Sequence, residues 1–218
     1  MLNRYIITHK TKEFSEVIML KEALLAARAD GDSICELTYE NETLVHENFS
    51  DMQFSSVQFI HCRFERCVFV HADFSLCKFD SCDFSGCDFS ESYWQNTVLC
   101  GCKGSGANFK ESIIKACTLA DCVMPFANFS YARWENCMLR GCNCAEGSFS
   151  HSRLKGFQAE NTVFRRTDFF QTLLNGVDLS GCEIEGITVS DTYSELRGVR
   201  VTAEQAAGLA LLLGVKIV

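Results

Sequence analysis

Residues 62–91 read CRFER CVFVH ADFSL CKFDS CDFSG CDFSE, six units of five residues with phenylalanine at the third position of each. The spacing continues in both directions, so every fifth position from Leu44 to Val189 belongs to one series of 30 positions without a one-residue slip. Fourteen of the 18 phenylalanines fall on this series, whose members we call the centre residues. The position two before each centre holds 11 of the 14 cysteines, and its other occupants are mostly small. The unit therefore has two inward positions and three mainly polar, outward ones.

A strict period of five excludes ordinary helices and strands, whose side chains repeat every 3.6 and 2 residues. A chain that turns a corner after every five residues does have this period, and four units then close one square coil. No unit can bury its large residue alone, so the coils must stack around one shared core. With stacked strands about 4.8 Å apart, 30 units make a rod of roughly 36 Å. The sequence predicts an all-β solenoid with four sides.

Residues twenty apart should stack in columns along this rod. Phenylalanine suits such columns because it carries no polar group that needs a buried partner. Two centres are small: Ala159 is compensated by Phe157 in the neighbouring small position, a volume-conserving exchange, whereas Gly104 has no such compensation and predicts locally loose packing. One predicted column contains Phe49, Phe69, Phe89, Phe109, Phe129, Phe149 and Phe169.

The five-residue units resemble those of the pentapeptide-repeat family, in which a small residue, Asp or Asn, and Leu or Phe precede two mostly polar positions. The resemblance covers about 150 of the 218 residues and implies a right-handed quadrilateral parallel β-helix. The units that carry it include ADFSL (72–76), CDFSG (82–86), CDFSE (87–91), ANFKE (107–111), ANFSY (127–131), TDFFQ (167–171) and VDLSG (177–181).

The C-terminal segment LRGVRVTAEQAAGLALLLGVKIV (196–218) is similar to the helix-and-strand module of quinolone-resistance (Qnr) pentapeptide proteins. Thr202 and Gln205 form a capping-box pattern before a helix over 203–213, Gly214 ends it, and a short strand is predicted over 215–218. The helix is apolar nearly all round, so it must be covered on every side. One side can close the coil and the other needs a second chain, which predicts a homodimer, as the resemblance also implies. The predicted dimer interface contains Leu209, Leu212, Leu213, Val215 and Ile217.

The N-terminal segment predicts a cap that covers the edge of the first coil, since an open edge would template aggregation. Residues 13–29 predict an amphipathic helix ended by Gly31, and Arg4–Thr8 predicts a strand. The expected inward residues of the helix are Phe14, Val17, Ile18, Leu24 and Leu25. The chain thus divides into an N-terminal cap over 1–43, the repeat β-helix over 44–191 and a C-terminal cap and dimerisation module over 192–218.

Composition excludes several functions. The net charge of −8 argues against direct nucleic-acid binding, which needs a basic surface. No apolar run is long enough to span a membrane, and the N-terminus MLNRYIITHK lacks the apolar core of a signal peptide. Both observations predict a cytoplasmic protein with reduced thiols.

The cysteine spacing lacks paired zinc motifs, so the thiols are predicted to fill the core. His46, His61, His71 and His151 each lie two after a centre and are predicted to point outward. The sequence holds no nucleophile elbow or phosphate loop. We expect no catalytic residue, metal or cofactor.

Surface charge leaves two functional classes open. In the quinolone-resistance relatives, an acidic dimeric rod occupies the DNA-binding saddle of DNA gyrase or topoisomerase IV, and the resemblance implies the same DNA mimicry here. A protein-interaction scaffold with another partner is the alternative, because Asp before the centre also satisfies turn amides. The five-residue frame is uninterrupted from Leu44 to Val189, so the loops that several of those relatives insert into their coils are absent. The candidate acidic partner-binding face contains Asp73, Asp80, Asp83, Asp88 and Glu91.

Overall fold

In the computed structural model, which describes residues 19–30 and 33–216, the chain winds into a parallel coil with two seven-stranded sheets along its length. Every strand pairs with the strands twenty residues away, as in Phe54 with Phe74 and Phe74 with Trp94, which confirms the predicted columns. The first side of the coil contains β1 (Ile34–Cys35), β4 (Gln53–Ser55), β7 (Asp73–Ser75), β9 (Tyr93–Gln95), β11 (Ile113–Lys115), β13 (Arg133–Glu135) and β15 (Arg153–Lys155). The second side contains β2 (Thr38–Glu40), β5 (Gln58–Ile60), β8 (Lys78–Asp80), β10 (Val98–Cys100), β12 (Thr118–Ala120), β14 (Met138–Arg140) and β16 (Gln158–Glu160).

The other two sides are held by shorter pairings. On the third side, β3 (Thr43–Val45) pairs with β6 (Arg63–Glu65), and single bridges continue the ladder as far as Glu183. On the fourth side, single bridges run from Asn48 to Thr188. The four sides together form the predicted quadrilateral solenoid.

The corners explain the period of five. From Glu36 to Gly176, the residue two after each centre has a left-handed backbone, with φ from 48° at Asn161 to 78° at Gly176. One such residue in every five turns the chain from one side of the coil onto the next side. Most of these corners are not glycine, and even Leu76 and Phe126 adopt this conformation, which is unfavourable for a residue with a Cβ.

Stacked aromatic rings fill the interior. Phe109 lies 4.9 Å from both Phe89 and Phe129, with near-parallel rings. Phe157 fills its small position and meets Trp134 edge-on at 5.5 Å, while Ala159 is also buried. The compensation predicted for this pair is confirmed. Dispersion between close-packed rings and loss of apolar surface from water stabilise this core.

The packing at Gly104 is tight, so the prediction of loose packing there is wrong. A Cβ at this position would lie 2.5 Å from Phe84 Cε2 and 3.4 Å from Met124 Cε. These two side chains belong to the coils before and after Gly104, and they occupy the volume that its missing side chain leaves.

The N-terminal helix α1 (Leu20–Asp30) buries Leu20 and Leu24, but Leu25 is 61% exposed, contrary to the prediction. Successive helical residues point about 100° apart, so the adjacent leucines cannot both face the core. The Leu20 backbone N–H donates to both carboxylate oxygens of Glu42 at 3.0 and 3.1 Å, and burial raises the pKa of Glu42. The predictions for Phe14, Val17, Ile18, Gly31 and the Arg4–Thr8 strand lie outside the described residues.

The coil begins earlier than the boundary expected at residue 44. Ile34 pairs with Phe54, and Tyr39 pairs with Phe59 and stacks on its ring at 5.8 Å. Both residues occupy centre positions and are buried. The first coil therefore uses part of the segment that was expected to form the cap.

The C-terminal end is closed by polar contacts. Glu195, within a 3-10 helix (Ser194–Leu196), is fully buried and accepts from the backbone N–H groups of Gln171 and Ser190. Burial acts to raise the pKa of Glu195, but hydrogen bonds from its own backbone N–H, from those of Gln171 and Ser190 and from the Ser190 hydroxyl outweigh it and leave the pKa below its ordinary value. Helix α2 (Ala203–Leu212) then begins at the predicted capping box of Thr202 and Gln205.

Helix α2 is held at both ends, and the Tyr193 hydroxyl donates to the carbonyl oxygen of Leu212 in its last turn at 2.6 Å. The Gln205 amide donates to the carbonyl oxygens of Leu179 and Cys182 at 2.9 and 2.7 Å. Gly214, with φ 73°, follows the helix as predicted. Residues 215 and 216 are not in a strand, so the predicted strand is absent from that described part, and residues 217–218 lie outside it.

Candidate protein-interaction surfaces

The thiols line the interior as the sequence predicts. Cys102 Sγ lies 3.5 Å from the carbonyl oxygen of Phe79, one coil away, and most buried cysteines make the same kind of contact. Burial raises the pKa of Cys77 to about 11 and that of Cys117 to about 12. All 14 cysteines are free, and no group of three or more His, Cys, Asp or Glu in the described part of the chain is arranged to hold a metal ion. Cys77 and Cys117 are therefore poor nucleophiles and poor metal ligands, because both roles need the thiolate.

The four histidines in the described part of the chain, His46, His61, His71 and His151, lie at corners of the coil. His71 stands between two carboxylates, with Nδ1 3.5 Å from Asp51 and Nε2 3.2 Å from Glu91. His151 stacks on Tyr131 at 4.5 Å with nearly parallel rings. Neither histidine faces a second histidine or a nucleophile.

The five acidic residues expected to form one face do not share a face. Successive five-residue units turn onto successive sides, so carboxylates that are close in the chain are distributed around the rod. Asp73 lies on the first side, Asp80 on the second, Asp83 on the third and Asp88 on the fourth, while Glu91 occupies the corner between the fourth and first sides.

Two of these carboxylates accept from backbone N–H groups of their own turns, whereas Asp73 and Asp80 accept from the side chains of Ser75, Lys78 and Ser81. Asp88 accepts from the backbone N–H of Ser90 at 2.9 Å and from the amide of Asn108 at 2.9 Å. Asp83 accepts from the backbone N–H and the hydroxyl of Ser85 at 3.0 and 2.7 Å. These are the turn contacts that the scaffold alternative assigns to Asp before the centre.

Negative charge is instead concentrated along the edge between the fourth and first sides. Corner residues twenty apart put Asp51, Glu91 and Glu111 in one column, with His71 between the first two. Asp73 and Asp88 lie on the two sides that meet at this edge. We call Asp51, Asp73, Asp88, Glu91 and Glu111 the acidic edge, which retains three of the five predicted residues. Spacing by twenty in the sequence was the signal that would have identified it.

The C-terminal helix presents uncovered apolar surface. No residue of α2 is fully buried; Leu209 and Leu212 are half-buried, and Leu213 and Val215 are 59% and 47% exposed. The fifth predicted interface residue, Ile217, lies outside the described residues. A groove of about 670 Å³ runs between α2 and the end of the third side, and its walls include Ile184, Ile187, Leu209 and Leu212.

The family model for pentapeptide repeats matches four overlapping segments of the chain, residues 48–86, 82–121, 117–156 and 148–186. The chain belongs to the pentapeptide-repeat family. These segments span most of the coil, and the family's right-handed quadrilateral β-helix agrees with the four sides described above.

Solved structures with a similar fold include other pentapeptide-repeat proteins. QnrB1, a plasmid-mediated fluoroquinolone resistance protein, is 20% identical, with a TM-score of 0.45 over 85% of this chain and 99% of that one. HetL from Nostoc sp. strain PCC 7120, a protein involved in heterocyst differentiation regulation, is 15% identical, with a TM-score of 0.36 over 84% and 94%. Rfr23 from Cyanothece 51142 is 15% identical, with a TM-score of 0.22 over 84% and 99%. No curated protein matches the chain. Within the described residues, neither helix of this pentapeptide-repeat protein has the length and hydrophobicity to cross a membrane.

Proposed function

We propose that this pentapeptide-repeat protein is a non-catalytic homodimer that binds DNA gyrase or topoisomerase IV by DNA mimicry and thereby modulates quinolone susceptibility. The observation that carries the proposal is the combination of an apolar C-terminal helix with exposed leucines and an acidic edge on the same rod. The similarity of residues 196–218 to the quinolone-resistance module adds to it. We expect the protein to act in the cytoplasm.

The dimer half of the proposal rests on α2. Gln205 attaches its first turn to the coil, the Tyr193 hydroxyl donates to the Leu212 carbonyl oxygen, and Leu209 packs against the core. Leu211 and Leu213 nevertheless remain 60% and 59% exposed. Exposed apolar surface of this kind is typical of an interface. Pairing two such helices would cover these leucines and give a rod of twice the length.

The dimer is tested by light scattering on Leu213→Glu, which should give a monomer because a charge would be buried in the interface. Leu76→Glu is the matched control, since Leu76 is also 59% exposed but lies at a corner of the coil. A dimeric Leu213→Glu variant, or a monomeric wild-type protein, would contradict the proposed interface.

The DNA-mimic half rests on charge. The acidic edge places carboxylates in a column with coils about 4.8 Å apart, compared with one phosphate per 3.4 Å of axis on each strand of B-DNA. The negative charge is therefore less dense than on DNA; His71 interrupts the column between Asp51 and Glu91, and Lys110 pairs with Glu111 at 3.0 Å. A basic DNA-binding groove would attract such an edge through its electrostatic field.

A supercoiling assay with purified gyrase, with and without a quinolone, tests this half. Wild-type protein at micromolar concentration should inhibit supercoiling and reduce quinolone-stabilised cleavage. The variant Asp51→Asn/Glu91→Gln/Glu111→Gln should lose this effect, while the control Glu40→Gln/Glu160→Gln/Glu185→Gln, on other sides of the rod, should retain it. Asp88 is left unchanged because it supports a turn.

The second candidate function is a scaffold that binds a different protein. It is favoured by the hydrogen bonds of Asp83 and Asp88 to their own turns, which leave fewer carboxylates free to imitate phosphates. If the wild-type protein has no effect on gyrase or topoisomerase IV while the dimer persists, the scaffold is the better account.

A further inference from the structure

The first side carries a basic surface that the proposed function does not use. Arg133 and Arg153 are direct neighbours in the parallel register of β13 and β15, and Lys155 follows on the same strand as Arg153. Arg133, Arg153 and Lys155 are exposed. We call these three residues the basic strip.

Two neighbouring arginines in a sheet are unfavourable, because like charges directly opposite each other repel. Neither arginine nor Lys155 forms an ion pair with any described residue, although the chain has an excess of acidic residues. Exposed cations elsewhere, such as Lys103 and Arg140, also lack an ion pair among the described residues, but they lie singly on other sides. The strip differs because its unpaired cations are neighbours in register. Glu135 is the register neighbour of Lys155 and supplies one carboxylate beside three cations, so the surface keeps an excess of positive charge.

Exposed aromatic side chains border the strip along the corner between the fourth and first sides. Tyr131 is 49% exposed and stacks on His151 at 4.5 Å, and Phe170 meets His151 edge-on at 5.5 Å. Next to Arg153 in the following coil, Leu173 is 61% exposed. Charged and apolar contacts are thus available side by side.

We propose that the basic strip and its aromatic border bind a short acidic segment of a partner protein, with carboxylates on the two arginines and an apolar residue against Leu173 or Phe170. The guanidinium groups suit carboxylates because each presents a planar fork of donors. This surface is distinct from the acidic edge and from α2, so it would bind a partner whether or not the protein acts on gyrase.

The length and surroundings of the strip favour a peptide over a nucleic acid. The two arginines span one coil step of about 4.8 Å. Further along the same corner, the column continues as Glu111 and Glu91. A phosphate backbone, with negative charge at every nucleotide, would extend from the strip onto this acidic edge and be repelled, whereas a segment with two or three carboxylates would not.

Fluorescence anisotropy on the full chain tests the proposal with a labelled peptide that contains one Leu-Glu-Glu-Leu segment between uncharged Gly-Ser flanks. The wild-type protein should bind it saturably, and Arg133→Gln/Arg153→Gln should weaken binding about tenfold, the scale expected for loss of charge-assisted contacts. The control Lys103→Gln/Arg140→Gln removes two exposed cations from the third and second sides and should change binding less than about twofold.

Three results would overturn the proposal. One is the absence of saturable binding, and another is equal weakening by the two double variants, which would indicate general charge attraction. The third is tighter binding of a twelve-nucleotide oligothymidine with the same dependence on Arg133 and Arg153, which would assign the strip to nucleic acid. Chemical denaturation distinguishes a binding role of the two arginines from a structural one. The Arg133→Gln/Arg153→Gln variant should be at least as stable as the wild type, because the substitutions relieve repulsion. A marked loss of stability would show that the arginines stabilise the fold.

Discussion

The indole N–H of Trp94 donates a 2.7 Å hydrogen bond to the hydroxyl of Ser92, which in turn donates to the carbonyl oxygen of Phe89. Two coils further along the same side, Trp134 occupies the equivalent centre position. Its small neighbour is Ala132, and the Trp134 indole nitrogen is buried without a hydrogen-bond partner among the described residues. The small position therefore decides whether a tryptophan in the core is satisfied.

Ala132→Ser should stabilise the protein by about 1 kcal/mol, because it supplies the missing acceptor for a buried donor. Equilibrium denaturation in urea measures the change. The control is Ala72→Ser, in the same column of small positions, where the neighbouring centre is Phe74 and no indole needs a partner. Equal effects of the two substitutions would show that the indole of Trp134 is not the cause.

Leu76→Asn should raise stability by about 0.5–1 kcal/mol, a part of the cost of the left-handed conformation for a residue other than Gly, Asn or Asp. Leu76 has φ 58° and a largely exposed side chain, so it retains the strain of a left-handed corner without burying its apolar surface. Asparagine tolerates this conformation better, and Asn96 already occupies the corner one coil away. As an opposite test, Gly86→Leu introduces leucine at another corner, where φ is 67°, and should lower the free energy of unfolding. A loss of stability in Leu76→Asn would argue that the corner is not strained.

Gly104→Ala should destabilise the protein by about 1–3 kcal/mol through overpacking against Phe84. Gly181→Ala is the control, because a Cβ there would meet its nearest described neighbour, Asn161, at 3.8 Å. The free energies of unfolding of the two variants, measured in urea, should differ by most of the predicted loss. A neutral Gly104→Ala would indicate spare volume at this centre, as the sequence had suggested.

Stability should decline above pH 9 because of the buried thiols. Burial raises the pKa of Cys77 to about 11 and that of Cys117 to about 12, so both thiols stay neutral in the folded protein while the unfolded chain ionises near pH 9. A raised folded-state pKa contributes stability that is complete below the unfolded-state value and is lost as pH rises from there towards the folded-state value.

Urea midpoints measured between pH 8 and 11 test this dependence. Cys77→Thr/Cys117→Thr should reduce the decline, because Thr97 already occupies the same column and donates to the Phe74 carbonyl oxygen at 2.9 Å. A decline of unchanged slope in this variant would assign the pH dependence to other groups.

The interior of the coil was predictable from the sequence because its period is five and each unit repeats the same two inward residues. Phe109 and Phe157 are buried where that period places them. The first coil was missed because Ile34 and Tyr39 lie in a segment without the cysteine pattern. The tight packing at Gly104 depends on the side-chain conformations of Phe84 and Met124 in the neighbouring coils. A pattern of residue sizes does not predict these conformations.

The charged surfaces were less predictable because their residues are twenty apart in the chain. Asp80 and Asp83 are near in sequence but lie on different sides. Arg133 and Arg153 are far apart in sequence but adjacent in register. Surface function in this fold is therefore identified by following each column of the coil, whereas the fold itself can be identified from successive units.

The most direct measurement of the central claim is competition between this protein and DNA for purified gyrase. The protein is immobilised and gyrase is bound to it. Linear duplex DNA should then displace the enzyme over a concentration range set by the affinity of the DNA for gyrase, because a DNA mimic and DNA cannot occupy the same groove. Formation of a complex that holds gyrase, DNA and this protein together, with no loss of either affinity, would contradict DNA mimicry.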